Sequence, residues 1–234
     1  MKYFNNFRPT FWSSVFTLIG FVFLVALGTW QVNRLEWKNN LIEERQSFLK
    51  DNPIEFNGDI NLLEGNLWKP VRVFGSFSHE KELYLAARSM RGNVGFHVLT
   101  PFTLLNGKNV LINRGWVPRE RKDPSQRSEG SVFGNLNLVG IITPGFKKGP
   151  FTPKNDAEKN VWLYVDFQEM GKNVGLSLES YVIDATENGK GGFPIGSQTR
   201  IKLPNDHLQY AITWYLLSIS LVVIWFFWNK KNND

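Results

Sequence analysis

The sequence has 234 residues, a net charge of +6 and an isoelectric point near 9.5, and it contains no cysteine. The lack of cysteine excludes disulfide bonds and thiolate metal sites. The positive charge is mild, and in the basic segment 114–127 it is diluted by Glu120 and Asp123, so we predict no nucleic-acid partner. Mean hydropathy is -0.25, an average that hides two strongly apolar runs at the ends of the chain.

The first apolar run, 11–30, predicts a membrane-spanning helix. No charged residue lies between Arg8 and Arg34, and a helix of this length rises about 30 Å, the hydrocarbon thickness of a bilayer. Trp12 and Trp30 lie at its ends, where interfacial aromatic residues are expected. A buried core helix is one alternative. A signal peptide is another, but its apolar region has only about 7–15 residues, so we predict an uncleaved anchor.

The middle of the chain predicts a water-soluble, β-rich domain over 31–206. Its first part, 31–50, keeps a helical pattern and is expected to extend the spanning helix as far as Asp51-Asn52-Pro53, because proline cannot continue the hydrogen-bond ladder. From Trp68 onward, short β-branched and aromatic runs alternate with glycine and proline, which indicates a mainly antiparallel β-barrel or sandwich. The predicted strands are 69–77, 82–87, 95–105, 109–113, 136–143, 161–166 and 181–184.

Two local signals refine this prediction. Asn106-Gly107 is a strong hairpin turn signal between two of the strands. Asp166 is a favourable N-cap residue for a short helix that starts directly after it.

The second apolar run, 207–228, predicts another spanning helix, uncharged between Asp206 and Lys230. The fold class is therefore an α+β membrane protein, with transmembrane helices at the N- and C-terminal ends flanking the β-domain. Two spans place both termini on one side of the membrane. Lys2, Arg8, Lys230 and Lys231 favour the cytoplasm for the terminal segments 1–10 and 229–234, although Arg34, Lys38 and Arg45 lie on the opposite side.

The expected location is the bacterial cytoplasmic (inner) membrane, with the central domain in the periplasm. Only ten residues precede the first span, too few for a mitochondrial transit peptide.

The sequence contains no recognisable catalytic constellation. Its three histidines, His79, His97 and His207, are not spaced as a metal-binding pair, and neither a phosphate-binding loop nor a nucleophile elbow occurs. We therefore predict no catalytic residues, no metal site and no enzymatic activity. A membrane-anchored enzyme stays open as an alternative that no motif supports.

The segment 112–118 reads INRGWVP and has two interpretations. Gly115 and Pro118 suit the exit of a strand. In the structural interpretation, this is a corner with Trp116 in the core and Arg114 paired to a carboxylate. In the functional interpretation, Arg114, Gly115 and Trp116 form an edge that docks a partner or faces the membrane.

The entrance of the last helix is the second candidate site. Residues three, four, seven and eleven positions apart share one helical face. Neutral imidazole is a good ligand for iron, and flat aromatic rings can flank a flat macrocycle. In the alternative interpretation, the histidine forms an interfacial hydrogen bond and the aromatic residues form a membrane belt. The residues on this face are His207, Tyr210, Ala211, Trp214 and Ser218.

Two stripes follow the first helix. One consists of small residues and would let another helix approach closely: Ser13, Thr17, Gly20 and Gly28. The other lies at the outer rim and can meet anionic groups of a cofactor or lipid: Gln31, Arg34 and Lys38.

Three segments, in order along the chain, resemble the surfeit-locus-one family. Residues 27–38 read LGTWQVNRLEWK and are similar to the family's LGxWQxxRxxWK segment at the end of its first span. Residues 95–102, GFHVLTPF, with 110–118, VLINRGWVP, are similar to its central motif. Residues 207–215 read HLQYAITWY and resemble its entrance to the second span.

The resemblance implies an assembly factor for haem-copper cytochrome c oxidase, with a role in haem a insertion or retention at the oxidase's largest subunit. It makes that subunit and the haem a synthesis machinery the expected partners, beside membrane lipid. Carried over by position, His207 is the candidate haem-linked histidine, and the other signature positions are Gln31, Arg34, Gly115, Trp116, Tyr210 and Trp214. A scaffold that stabilises an oxidase subunit without binding haem is the alternative.

Overall fold

The computed structural model describes residues 7–59, 67–199 and 205–230. Contacts divide the protein into a helical unit, residues 1–44 with 201–234, and a β-unit, residues 45–200. Lys2 and Lys231, which contribute to the predicted orientation, lie outside the described residues.

The helical unit contains two long helices, α1 (Phe11–Phe48) and α3 (His207–Trp228). Both are long and apolar enough to cross a membrane, and only 6% and 11% of their most apolar stretches are buried. A core helix of a soluble protein would bury most of such a stretch. The exposed apolar faces therefore favour the predicted spans over the buried-core alternative. α1 continues without a break through the charged segment that follows Trp30.

Small residues on α1 let α3 approach closely. A Cβ atom at Gly28 would lie 2.8 Å from the ring of Tyr215, and one at Gly20 would lie 3.0 Å from Leu221. The Tyr215 hydroxyl is also 3.1 Å from Thr29 Oγ1. Because positions later in α1 meet positions earlier in α3, the two helices are antiparallel. These contacts confirm the close approach predicted from the two glycines of the stripe.

The β-unit is built on a closed barrel of five strands. β2 pairs with β6, β6 with β7, β7 with β5, β5 with β4, and β4 returns to β2 through Gly75–Phe77. Only the β5–β7 pair is parallel among these five, so the barrel is mixed but mainly antiparallel, as predicted. β1 and β3 extend the sheet beyond the barrel. The strands are β1 (Ile54–Glu55), β2 (Pro70–Phe77), β3 (Leu83–Met90), β4 (Asn93–Leu104), β5 (Asn109–Pro118), β6 (Leu136–Thr143) and β7 (Leu178–Ala185).

Alternation along the strands produces two hydrophobic layers, because successive side chains point to opposite faces. On β5, Val110 and Ile112 belong to one cluster, which also contains Phe102 and Tyr181. Leu111 points the other way, into a second cluster with Trp162 and Met170. Met170 lies on the short helix α2 (Phe167–Val174), which covers this second layer. Both faces of the central strands are therefore buried.

Two local predictions are confirmed. Asp166 caps α2 by accepting hydrogen bonds from the backbone of Gln168 and Glu169. The Asn106-Gly107 turn joins β4 to β5, and Gly107 has the positive φ of +83° that such a turn requires.

Two strand predictions are corrected. Residues 161–166 form no strand: Val161 and Trp162 make only isolated bridges, and their apolar character comes from the burial of Trp162 in the outer layer. β5 does not end at Asn113 but continues to Pro118. Gly115 is a bend inside the strand rather than its exit, and its φ of +122° goes with a shift in the pairing register between β4 and β5.

Candidate functional site

The predicted sites on the two helices meet at one rim of the helical unit, where His207 of α3 contacts Gln31 of α1. His207, the first residue of α3, places its Nδ1 2.6 Å from Oε1 of Gln31 on α1. An amide oxygen can only accept, so Nδ1 carries the proton and donates it. The Nε2 lone pair then points away from this bond, and it has no hydrogen-bond partner among the residues that the structure describes. An imidazole fixed in this tautomer is suited to ligate a metal through Nε2.

The face of α3 below His207 divides into two parts. Ala211 and Ser218 are buried, with 2% and 3% of their surface exposed. Tyr210 is 55% exposed and Trp214 is half-buried. The structure therefore does not form one continuous strip from the five predicted residues. The two small residues pack inward, and the two aromatic rings stay accessible to a ligand or to lipid.

Arg34 lies on the same rim and is exposed. Its guanidinium stacks on the ring of Trp37, 4.3 Å from the centroid, and within the described ranges it forms no ion pair with a carboxylate. Its charge is thus available to an anionic group. Further along α1, Asn39 accepts a hydrogen bond from the side chain of Asn205 at 2.8 Å. Gln31 has a role that the sequence did not reveal, since it orients the imidazole rather than meeting an anion.

The chemistry of this rim fits a haem group. The rim offers an imidazole with an available Nε2, two accessible aromatic rings and a cation without an ion pair among the described residues, which are groups suited to a flat, doubly anionic macrocycle. The stripe that begins at Gln31 on α1 and the predicted face of α3 meet here through the contact between Gln31 and His207.

In the β-unit, the prediction of a docking edge at Arg114, Gly115 and Trp116 needs correction. Arg114 is 6% exposed and Trp116 is 4% exposed, and Gly115 is also buried. β5 lies between β4 and β7, so its side chains enter packed layers on both faces instead of forming an edge. The structural interpretation holds: Trp116 is in the interior and Arg114 is paired with a carboxylate.

That carboxylate is Glu82, at the centre of a buried ionic cluster. Arg114 Nη1 donates to Glu82 Oε1 at 2.8 Å, and Arg127 Nη2 donates to Oε2 at 2.5 Å. Arg127 Nη1 also donates to Oε1 at 3.2 Å, and the Tyr84 hydroxyl donates to Oε2 at 3.1 Å. Burial alone would raise the pKa of Glu82, but His79, whose Nδ1 lies 3.9 Å from Oε1, the hydrogen bond from Arg127 and the charges of both arginines outweigh it and hold the pKa at about 2.

The same two arginines fix the chain that follows β5. Arg114 donates to the carbonyl of Gly130, and Arg127 donates to the carbonyls of Arg121 and Lys122. Glu82 thereby holds the segment 119–130 against β3. This cluster is a structural clamp, and sequence inspection missed it because its members are 32 and 45 positions apart.

A second buried polar cluster joins β5 to β7. Asn113 Nδ2 donates to Asp184 Oδ1 at 2.9 Å and lies 3.3 Å from His97 Nδ1. Thr199 donates to the other Asp184 oxygen at 2.9 Å. Burial raises the pKa of Asp184 to about 6, and the hydrogen bonds from Asn113 and Thr199 oppose this rise without cancelling it.

The raised pKa of Asp184 predicts a pH-dependent stability. Because the folded state binds this proton more tightly, its contribution is fully present below pH 3.8 and is lost as pH rises through 6. Between pH 4 and 7, the free energy of unfolding of wild type should therefore fall by about 2 kcal/mol relative to that of Asp184→Asn. Urea unfolding of the full chain in mild detergent, at several pH values, measures this difference. A difference that stays constant with pH would contradict the prediction.

Comparison with known proteins decides the family. The SURF1 family profile matches residues 18–219. The chain belongs to the SURF1 family. It is 40% identical over 216 residues to surfeit locus protein 1 of Mus musculus, covering 86% of this chain and 70% of the mouse protein. It is 39% identical to the Homo sapiens protein, covering 86% and 72%, and 36% identical to a SURF1-like protein of Caenorhabditis elegans, covering 92% and 73%.

Membership of the SURF1 family confirms the resemblance that the three sequence segments indicated. The matched region begins inside α1 and ends inside α3, so it includes the whole β-unit and the rim with Gln31, Arg34 and His207. The shared region thus contains most of α1, the first part of α3 and the domain between them.

Proposed function

We propose that this chain is a non-enzymatic assembly factor for haem-copper cytochrome c oxidase, acting in haem a insertion or retention at the oxidase's largest subunit. Family membership and the chemistry of the rim support the proposal. The observation that carries it is the hydrogen bond from His207 Nδ1 to Gln31 at 2.6 Å, because it leaves Nε2 as an oriented nitrogen ligand.

Each rim residue has a role in this proposal. His207 would hold the iron through Nε2, and Gln31 fixes the tautomer and the direction of the imidazole ring. The accessible rings of Tyr210 and Trp214 would flank the macrocycle, and Arg34 would pair with a propionate. When bound, haem a supplies an iron centre that accepts one nitrogen ligand. The haem a synthesis machinery is the proposed donor and the oxidase's largest subunit the proposed acceptor.

The haem prediction is tested on the full chain, co-expressed with haem a synthesis and purified in mild detergent. We expect wild type to show a haem a absorbance that His207→Ala loses. Gln31→Leu should weaken haem binding by about 10–100-fold, the usual effect of removing a partner that orients a ligand. Gln31→Glu, which keeps an acceptor oxygen, should retain binding. Asn205→Ala, which removes the neighbouring side-chain contact between Asn205 and Asn39, is the matched control. An unchanged spectrum in His207→Ala would remove the ligand role.

A scaffold role is the second candidate. It is favoured by the largely exposed apolar faces of α1 and α3, which can pack against the helices of an oxidase subunit. Purified wild type that carries oxidase subunits but no haem a would favour the scaffold. A stoichiometric haem a would favour the haem-handling role.

The proposed topology has both termini in the cytoplasm and the β-unit in the periplasm of a bacterial inner membrane. Because the chain contains no cysteine, single cysteines can report each side. We expect a membrane-impermeant maleimide to label Leu105→Cys in spheroplasts and to label Lys230→Cys only after lysis. The reverse pattern would invert the topology.

A further inference from the structure

The loop between β6 and α2 exposes an aromatic ring that no packing explains. Phe151 is 98% exposed, the highest value among the large apolar side chains of the described ranges. Single exposed apolar residues are common on protein surfaces and need no explanation by themselves. The exposure of Phe151 is informative because the ring lies in a closed turn and has lysines near it in the chain.

A hydrogen-bonded turn holds Phe151 at the tip of this loop. The backbone N–H of Gly149 donates to Thr152 Oγ1 at 3.0 Å, and the N–H of Thr152 donates back to the Gly149 carbonyl at 3.2 Å. Pro150 lies inside this turn, directly before Phe151, and fixes its own φ angle. The ring is therefore held out by a stiff turn and does not need to be ordered on binding.

The base of the loop is fixed to the β-unit. The N–H of Val165 donates to the Phe146 carbonyl at 2.7 Å, and the Phe146 ring packs against the outer hydrophobic layer. The Arg88 guanidinium covers the other face of that ring, 4.0 Å from its centroid. A turn anchored in this way presents its tip in a constant direction.

Within the segment 144–155 all charges have one sign. Lys147, Lys148 and Lys154 are all exposed, and no acidic residue occurs between Pro144 and Asn155. The Lys148 ammonium lies 5.3 Å from the Tyr164 ring, which keeps it at the base of the turn. An apolar tip within a basic collar complements an anionic bilayer, where lysines meet phosphate groups and the ring reaches the acyl boundary.

We propose that the segment 147–154 is a membrane-docking loop, in which Phe151 inserts into an anionic lipid surface and the three lysines bind lipid phosphates. A lipid surface is the favoured partner because α1 and α3 attach the β-unit to a bilayer through the chain itself. A loop that is already tethered needs only a weak intrinsic affinity, since its effective concentration at the surface is high. The proposal does not depend on haem binding.

The test uses the full chain in lipid nanodiscs, with one nitroxide label at Pro153→Cys and a reference label at Leu105→Cys on the β4–β5 hairpin. Collision rates with oxygen and with a water-soluble nickel complex report whether each label is in lipid or water. With phosphatidylglycerol present, we expect the label at position 153 to enter the lipid environment, and the reference label to stay in water. In phosphatidylcholine alone, both labels should stay in water.

Two variants separate the contributions of charge and ring. Replacing the three lysines by glutamine should lower the ratio of inserted to free loop by about 100-fold, at about fivefold for each lysine. Phe151→Ser should also abolish insertion, whereas Phe151→Trp should keep it. All these side chains are exposed, so the urea midpoint should not change and loss of fold is excluded by that measurement.

Three outcomes overturn the proposal. The first is that the label at position 153 stays in water in both lipids. Insertion that survives the triple glutamine replacement is the second. Protection of the label only when oxidase subunits are added is the third, and it would assign the loop to an acidic protein surface.

Discussion

Replacing Glu82 by glutamine is expected to lower the free energy of unfolding of the β-unit by about 3–5 kcal/mol, the cost of removing one partner from a buried ion pair. Glu82 is 6% exposed, and it is the acceptor for both Arg114 and Arg127, which are themselves buried. The amide would leave two positive charges in the interior without a counter-charge. Urea unfolding of the full chain in detergent, followed by tryptophan fluorescence, measures the loss.

The neighbouring residue provides a matched control for Glu82. Glu80 lies two positions earlier and is exposed, so Glu80→Gln removes the same charge without disturbing the cluster. Its expected effect is within about 0.5 kcal/mol, as for most surface substitutions. The two variants should also differ in how their free energy of unfolding changes at acidic pH. Because the pKa of Glu82 is lowered to about 2, its contribution is present above pH 4.5 and lost as pH falls through 2. Equal losses in both variants would mean that the ion pairs contribute nothing specific.

Sequence patterns predicted the elements whose signals are local. The spans followed from length and lack of charge, the hairpin from Asn106-Gly107, and the α2 cap from Asp166. The barrel itself was predicted only as a class, because its closure depends on β4 pairing with both β5 and β2. Pairing over such separations leaves no periodic trace in one sequence. The strand predicted over 161–166 failed for the opposite reason, since Trp162 is apolar for packing and not for pairing.

At the rim, too, the sequence predicted which residues lie on each helix but not how they contact one another. The positions of His207 and Gln31 on their helices were readable from sequence, but the bond between them joins residues 176 positions apart. Gln31 was therefore predicted to meet an anion, whereas its oxygen is used by the imidazole. At Arg114 the structural interpretation holds and the docking edge does not, but the sequence alone left both open. An arginine beside glycine and tryptophan suggests an exposed edge until Glu82 and Arg127 are placed next to it.

Gly115→Ala is expected to lower the free energy of unfolding by about 3–5 kcal/mol, combining backbone strain with two lost hydrogen bonds. Gly115 has a φ of +122°, which alanine rarely adopts, and a Cβ atom there would lie 2.0 Å from the Ile195 carbonyl oxygen. That oxygen accepts from Trp116 N–H at 2.8 Å, and Ile195 N–H donates back at 2.8 Å. The added methyl group has to push this segment away and break both bonds.

Gly134→Ala is the matched control, because Gly134 also has a positive φ, of +82°, but its Cβ would meet nothing within 4 Å. It should cost only about 1 kcal/mol, the ordinary penalty for a left-handed residue with a side chain. The difference between the two variants isolates the steric contact with Ile195, and the same urea titration measures both. A Gly115→Ala protein as stable as the control would mean that the 195 segment moves aside at little cost. A larger loss of unfolding free energy for Gly115→Ala would show why the NRGWVP segment requires glycine at this position. β5 and the segment that contains Ile195 lie so close there that no side chain fits.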